Sequence, residues 1–250
     1  MKIFTPCQII QPKNDLASYQ AAIQERSLNG FTFSSSGRKK RNVGSHTKYW
    51  ENGKTLKIGM YNASDEAIEA VKAAASKWLL YVNLKFDFVR GEIGDIRIIL
   101  NHPTGIHGSD IGTDALIDDI GGTDEERRGP SMFLNWVPGD SRFEYVVMHE
   151  FGHALGAQHA HQHPDSAIPW NVQGTYDYCA RHFGWSKEVV DANILPLPRS
   201  DQNTYRPYDG DSVMHYEVLP EWTFGDWGQS ETHAISDGDI AIMGDAYPKN

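Results

Sequence analysis

Apolar and polar residues alternate along "TLKIGMY" (55–61), the pattern of a half-buried strand. Ser64 then stands where it can cap a helix, with Asp65 and Glu66 in the first turn. Ile68, Val71, Ala75, Trp78, Leu79 and Val82 follow at helical spacing. "LKFDF" (84–88), "IRIIL" (96–100) and "SMFLNW" (131–136) read as further strands. Strand, helix and then more strands predict a twisted sheet backed by helices. Phe143, Val147, Phe151 and Leu155 recur every four residues and predict a helix from about Arg142 to Ala154. Beyond Gly156 the periodicity weakens through "HPDSAIPWN", "PLPRSD" and "PYDGD". Short helices are predicted there at 186–193 and 236–247. The second opens on Ser236 and Asp239 as a capping box, with Ile240, Met243 and Tyr247 on one side.

The first 45 residues read differently. "SSSGRKKRNVGS" (34–45) is polar and basic with two glycines, the composition of a flexible linker or exposed loop. Arg38–Arg41 is either a solvated charge run or a protease-sensitive site between a pro-segment and a catalytic domain. The expected organisation is an N-terminal extension over 1–45, pro-segment or linker, and a catalytic domain over 46–250. A chain of 250 residues suffices for one domain, or one split around a cleft. A net charge of −10 argues against nucleic acid and anionic membranes as partners. No apolar run approaches the ~20 residues of a membrane span. Pro6, Gln8, Gln11 and Pro12 break up the first apolar stretch, so secretion or delivery by a route other than Sec is expected rather than residence in the cytoplasm. Cys7 and Cys179 allow one disulfide at most.

Chemistry concentrates in "HEFGHALGAQH" (149–159). His149 and His153, four apart on a helix, project from one face and can reach one ion. Glu150 lies roughly 100° around the helix, placed to act as a base without ligating. Glycine at 156 permits the left-handed turn that ends a helix sharply, so the chain can fold back and offer His159 as a third ligand. Three neutral imidazoles with one open position suit a single catalytic Zn2+, because structural zinc sites usually close with four protein ligands. The complete HExxHxxGxxH spacing is the metzincin signature.

Downstream, "DSVMHY" (211–216) resembles the Met-turn of astacin-like metzincins. "YWENGKTLKIGMY" (49–61), "HQHPDSAIPWN" (161–171), "GWSKEVVDANIL" (184–195) and "AISDGDIAIMGDAYP" (234–248) resemble bacterial and fungal members of the same group, so the resemblance runs from about Tyr49 to Pro248. It implies an α+β metzincin fold. A twisted mixed sheet and the active-site helix form an upper subdomain to about 156. An irregular lower subdomain (157–250) carries a C-terminal helix, and a cleft lies between the two. It also implies Met214 as an apolar floor below the metal, and Tyr216 as a fifth ligand whose hydroxyl can turn to the oxyanion. An extended protein or peptide substrate is expected to pair with an edge strand above the cleft, for which "SMFLNW" is the candidate. Ala160 stands where many members carry a glutamate that helps anchor a trimmed N-terminus.

The expected activity is that of a zinc metalloendopeptidase, with Glu150 as general base and then acid. Two other readings stand beside it: a catalytically silent, zinc-containing peptide-binding module, and a protease delivered into another cell as an effector or toxin. Cys7 could close the metal site as a thiolate, a latency device like that of matrixins, although "TPCQII" lacks the matrixin motif. His161 and His163 are read as outer residues, not ligands. "DALIDDIGGTDEE" (114–126) is read as a solvated acidic loop in preference to a calcium site.

Overall fold

A computed structural model describes residues 7–30, 44–61, 63–91, 93–103, 105–117 and 128–249. Among them, six strands form one mixed sheet: β1 (Gln8–Ile10), β3 (Thr55–Tyr61), β4 (Lys85–Arg90), β5 (Ile96–Leu100), β6 (Gly108–Asp110) and β7 (Met132–Leu134). Their order is β1-β6-β7-β5-β3-β4. Neighbours run parallel except β6 against β7. A second pairing joins β2 (Gly44–Ser45) to β8 (Asn203–Thr204).

Alternation in β3 buries Leu56, Ile58 and Met60 while Thr55 and Lys57 stay exposed. Those apolar residues share one core with Ile96, Ile98, Met132 and Leu134, and with α2 (Asp65–Ala75) and α3 (Phe143–Ala154). Ser64 caps α2, its side chain accepting from the Ala67 N–H. The predicted helical run does not continue to Val82: residues Ser76–Leu80 tighten into a 3-10 turn, which brings the Trp78 indole N–H to the Met148 carbonyl of α3 at 2.8 Å. α3 is buried almost all round, from Phe143 to Ala154. Its end is pinned by the Trp50 indole N–H on the Ala154 carbonyl and the Tyr247 hydroxyl on the Leu155 carbonyl.

After Gly156 a smaller core gathers Ile168, Cys179, Val190, Ile194, Tyr216, Val218 and Trp222. Helices α5 (Lys187–Asn193) and α6 (Asp237–Ala246) form where predicted, α6 with its Ser236–Asp239 capping box. The apolar side of α6 returns to the larger core. The segment 172–183 had no predicted element and is a helix, α4 (Val172–Phe183). Only Thr175 and Cys179 of α4 are buried, and its apolar side is made of Cys179 with aromatic residues, Tyr176, Tyr178 and Phe183, that pack against the smaller core.

Two expectations need correction. β7 lies inside the sheet between β5 and β6, so "SMFLNW" is not the edge. The strand beyond it is β6, and β1 from the N-terminal extension pairs with that strand in parallel. Residues 7–30 are likewise built into the fold: β1 is followed by α1 (Asp15–Glu25), whose Ala17, Ser18, Ala21 and Ala22 are buried. Most of the basic linker, including Arg38–Arg41, lies outside the described residues, as does most of the acidic loop. Asp114, at the start of that loop, is not solvated. It is buried and accepts from the Ser18 hydroxyl of α1 at 2.5 Å and from the Lys48 ammonium.

Candidate metal centre

His149, Glu150 and His153 project from α3 into the middle of the molecule, each no more than 2% exposed. Gly156 adopts φ +103°, which breaks the helix and turns the chain back. The Ala160 N–H then bonds the Met214 carbonyl at 3.0 Å, setting His159 beside the two helix histidines. Cys7 arrives from the N-terminal segment. One ligand atom from each of Cys7, His149, His153 and His159 lies within 4.8 Å of the other three, all four residues being buried. Two donors on one tetrahedral zinc ion stand roughly 3.3–3.8 Å apart, so the widest pairs would draw together on binding.

Each imidazole is held through Nδ1 by a group that can only accept. His149 donates to the Val213 carbonyl at 2.8 Å and His153 to the Ala157 carbonyl at 2.8 Å. His159 donates to Gln162 Oε1 at 3.0 Å, while the amide nitrogen of Gln162 donates to the Leu195 carbonyl. These partners fix the Nδ1–H tautomer and turn the three Nε2 lone pairs inward. Burial lowers the His149 pKa to about 4 and pushes His153 and His159 well below the ordinary histidine value, so all three are neutral. The Nε2 atoms of His153 and His159 then face each other, lone pair to lone pair, at 3.0 Å. His149 Nε2 is buried with no hydrogen-bond partner. A shared cation satisfies all three atoms at once, and a mixed imidazole and thiol donor set fits zinc.

Glu150 does not join this set. Both its oxygens are buried without a hydrogen bond of ordinary geometry, and burial lifts its carboxyl to about 8. The Cys7 thiol is 3.9 Å from His159 Nε2, and burial raises its pKa well above the usual thiol value. Tyr216 is buried against His149 and His159, ring centroids 5.7 and 4.3 Å away, and its hydroxyl donates to the Cys7 carbonyl. Cys7 and Cys179 are both free thiols, so the disulfide weighed from the sequence is not formed.

Met214 packs against α3 where Gly152 has no side chain. A Cβ at 152 would collide with the methionine sulfur and stand 3.2 Å from Trp78. Asp239 of the capping box fixes the same turn, accepting from the Ser212 hydroxyl at 2.5 Å and the Val213 N–H at 2.8 Å. His161 and His163 are fully buried, and among the described groups neither joins the ligand set. His161 stacks on Tyr216, accepts from the Tyr216 N–H and donates to the Asn193 carbonyl at 3.1 Å. A pocket of about 310 Å3, counting its open mouth, borders the centre. His107, Arg142, Tyr145, Val146, Glu150 and Tyr216 line it. Glu231 clamps the Arg142 guanidinium through two bonds of 2.6 Å.

Gly152, Gln162, Asn193, Ser212, His107 and Arg142 were not singled out from sequence. Gly152 did leave a signal, since a glycine inside a helix costs ~1 kcal/mol against alanine and calls for a packing reason. The others owe their roles to tertiary neighbours and left none.

No family model matches the chain. Over 102 residues it is 31% identical to the zinc metalloproteinase nas-26 of Caenorhabditis elegans. That match spans 40% of this chain and about a fifth (21%) of the worm protein. Among solved structures, one of myroilysin is 30% identical, with a TM-score of 0.73, covering 83% of this chain and 99% of that one. A second myroilysin structure is 26% identical, with a TM-score of 0.58, covering 98% and 100%. The hatching enzyme HCE-1 of medaka, Oryzias latipes, is 20% identical with a TM-score of 0.53, covering 80% and 94%, and is similar in fold. Among the described residues no helix is long and apolar enough to cross a membrane.

Proposed function

The chain belongs to the astacin-like metzincin zinc proteases, and from that premise we propose that it is a zinc-dependent endopeptidase held latent by its own N-terminal segment. The observation that carries the reading is the convergence of three neutral imidazoles whose Nδ1 protons are all committed outward, beside a carboxylate with no bonding partner of ordinary geometry. His149, His153 and His159 would hold the ion, with Cys7 as the fourth donor in the latent chain. Zinc, when bound, supplies Lewis acidity toward a water molecule and a peptide carbonyl.

The remaining steps belong to the chain. Glu150, whose carboxyl burial raises to about 8 without a bound ion, takes a proton in its ionised form from the attacking water and hands it to the departing amine nitrogen. Its low-polarity surroundings make the carboxylate a stronger base than one in water. The Tyr216 hydroxyl, released from the Cys7 carbonyl when the segment leaves, donates to the oxyanion that develops on the scissile carbonyl. Met214 and Gly152, in close contact, set the depth at which α3 lies against the turn below the metal. The substrate runs extended along the β6 edge that β1 covers here. Cys7, Tyr216 and β6 are engaged by one segment, so release of that segment frees ligand, oxyanion donor and edge strand together. A cut in the 1–45 extension is the step that would make release permanent.

The test uses the full-length, zinc-loaded chain and a denatured protein mixture, with new N-termini read by mass spectrometry. Cleavage is expected to be slow in the parent, 10- to 100-fold faster in Cys7→Ala, and abolished by a zinc chelator. Adding Glu150→Gln to Cys7→Ala should lower it about 10^3-fold with zinc retained. Undiminished cleavage in Glu150→Gln would overturn the catalytic assignment. A Cys7→Ala chain no faster than the parent would overturn latency through the thiol.

A further inference from the structure

The segment 8–10 lies in a slot with two walls, and both walls address its main chain. An extended strand presents successive N–H groups to opposite sides. The Gln8 N–H points to the sheet and meets the His107 carbonyl at 3.0 Å. The Ile9 N–H points the other way, into the lower subdomain, and meets the side-chain oxygen of Asn193 at 2.9 Å. On the sheet side Gly108 leaves the rim bare: a Cβ there would stand 2.6 Å from the Gln8 carbonyl oxygen. The slot therefore requires a close, extended backbone, and among the described residues its bonds to residues 8 and 9 are to the main chain.

Asn193 is built for this contact before any peptide arrives. It is the last residue of α5 and 3% exposed. Its amide nitrogen donates to the Val189 carbonyl one turn back at 2.8 Å, which fixes the carboxamide and turns the oxygen into the slot. Its own carbonyl accepts from His161, which ties this end of α5 to the metal centre. Two residues before Ile9, the Cys7 thiol is already among the histidines, so a chain gripped at Asn193 is delivered to the metal. When the N-terminal segment withdraws, the Asn193 oxygen keeps its place in the cleft and loses its donor. Water can then reach that oxygen, and an extended substrate would replace it with a backbone N–H at an acceptor already held in place.

We propose that Asn193 is a main-chain anchor for the substrate, its Oδ1 accepting an N–H from an extended polypeptide of unrestricted sequence held between β6 and α5. This rests on the peptidase reading above and adds the lower wall of the cleft to it. The anchor acts on backbone, so a substituted backbone tests it. The full-length Cys7→Ala, Ile9→Pro chain frees the slot without altering its walls, because proline has no N–H for Asn193 to accept. A peptide substrate carrying a single N-methyl group at each backbone position in turn is then assayed for kcat/KM.

One position away from the scissile bond is expected to lose about tenfold on methylation. Adding Asn193→Ala should cost the unmodified peptide a similar factor and abolish the penalty at that position. A penalty unchanged in Asn193→Ala, at equal zinc content, overturns the anchor and leaves the peptidase standing. The scan with Asn193 intact decides independently of how the variants fold: no penalised position beyond the scissile bond also overturns the anchor. No cleavage by any of these zinc-loaded chains overturns the peptidase reading and the anchor with it.

Discussion

Two regions meet at the metal centre, and they are held there by different forces. α3 and the turn after it carry three histidines and Glu150 within eleven residues, and nearly every α3 side chain is buried. The N-terminal segment brings Cys7 to the same place from 152 positions away in the sequence, mainly on separate polar contacts. Its contacts with the rest of the molecule include the pairing of β1 with β6, Ile9 to Asn193, Ser18 to Asp114, Asn29 to the Tyr49 carbonyl, and Arg26 to the Ala246 carbonyl. The buried face of α1 is small, three alanines and a serine, while Leu16 and Tyr19 are 64% and 49% exposed. Burying alanines gains little hydrophobic free energy, and each net hydrogen bond contributes about 1 kcal/mol. The helix is fixed by the core of the molecule, whereas the segment rests on a short strand pairing, a small buried face and polar contacts. That division suits the latency proposed above, in which the site persists and the segment leaves.

The comparison breaks most visibly if the metal is taken away. With Cys7 as a donor to the ion, the thiol is shielded twice, by burial and by coordination. Stripping zinc from the full chain with a chelator is expected to raise the rate of Cys7 modification by a thiol reagent at least 100-fold. Burial still keeps the pKa of the free thiol high, so that rate should lag an exposed cysteine. Mass spectrometry of the labelled chain separates Cys7 from Cys179, which is fully buried away from the ligand set and is expected to stay unlabelled. Equal labelling with and without zinc would mean that the segment and the metal do not communicate.

A smaller effect probes the fixed region. Gly152→Ala improves helix propensity by ~1 kcal/mol, yet its methyl would enter the space of the Met214 sulfur and crowd Trp78. Overpacking of this kind costs roughly 1–3 kcal/mol, so a net loss of about 1 kcal/mol is expected in urea unfolding, with a lower zinc affinity. A stabilised Gly152→Ala chain would show that propensity wins and that the methionine is free to move.

The same contrast explains what could be read without a structure. His149, His153, Gly156 and His159 are neighbours in sequence; helix geometry aligns the first two histidines, and the turn at Gly156 brings back the third. Ser236 with Asp239 and Ser64 with Ala67 are local in the same sense, and their caps form as predicted. Met214 and Tyr216 entered through resemblance, and Tyr216 does lie among the histidines. The pairing of strands is different. β6 is three residues, "GSD", with no apolar alternation, and β1 is "QII". Neither announces a strand, so the longer "SMFLNW" reads as the edge although β6 and then β1 lie beyond it. The polar composition of 34–45 also coloured the whole extension, although Ile9, Ala17, Ala21 and Ala22 before it are buried. Gln162 and Asn193 are ordinary amides until the fold sets a histidine ring nitrogen against one and a backbone N–H against the other.

The smallest change sharpens the comparison most, because it touches only the releasable side. Asp114 belongs to the catalytic part and keeps Lys48 as a partner whatever happens to α1. Ser18→Ala removes the hydroxyl that α1 donates to Asp114 at 2.5 Å and leaves the carboxylate its ion pair. A hydrogen bond to a charged group is worth a little more than a neutral one, but Asp114 stays satisfied, so about 1 kcal/mol is expected. If the segment is held by independent contacts, that loss falls on its own detachment and not on global unfolding. Amide exchange at Ile9 should then quicken about fivefold, while exchange at Val147 and Phe151 in α3 stays as it was. Equal acceleration at all three amides would mean that segment and helix unfold as one unit, and latency would then have to be lifted by unfolding the catalytic part itself.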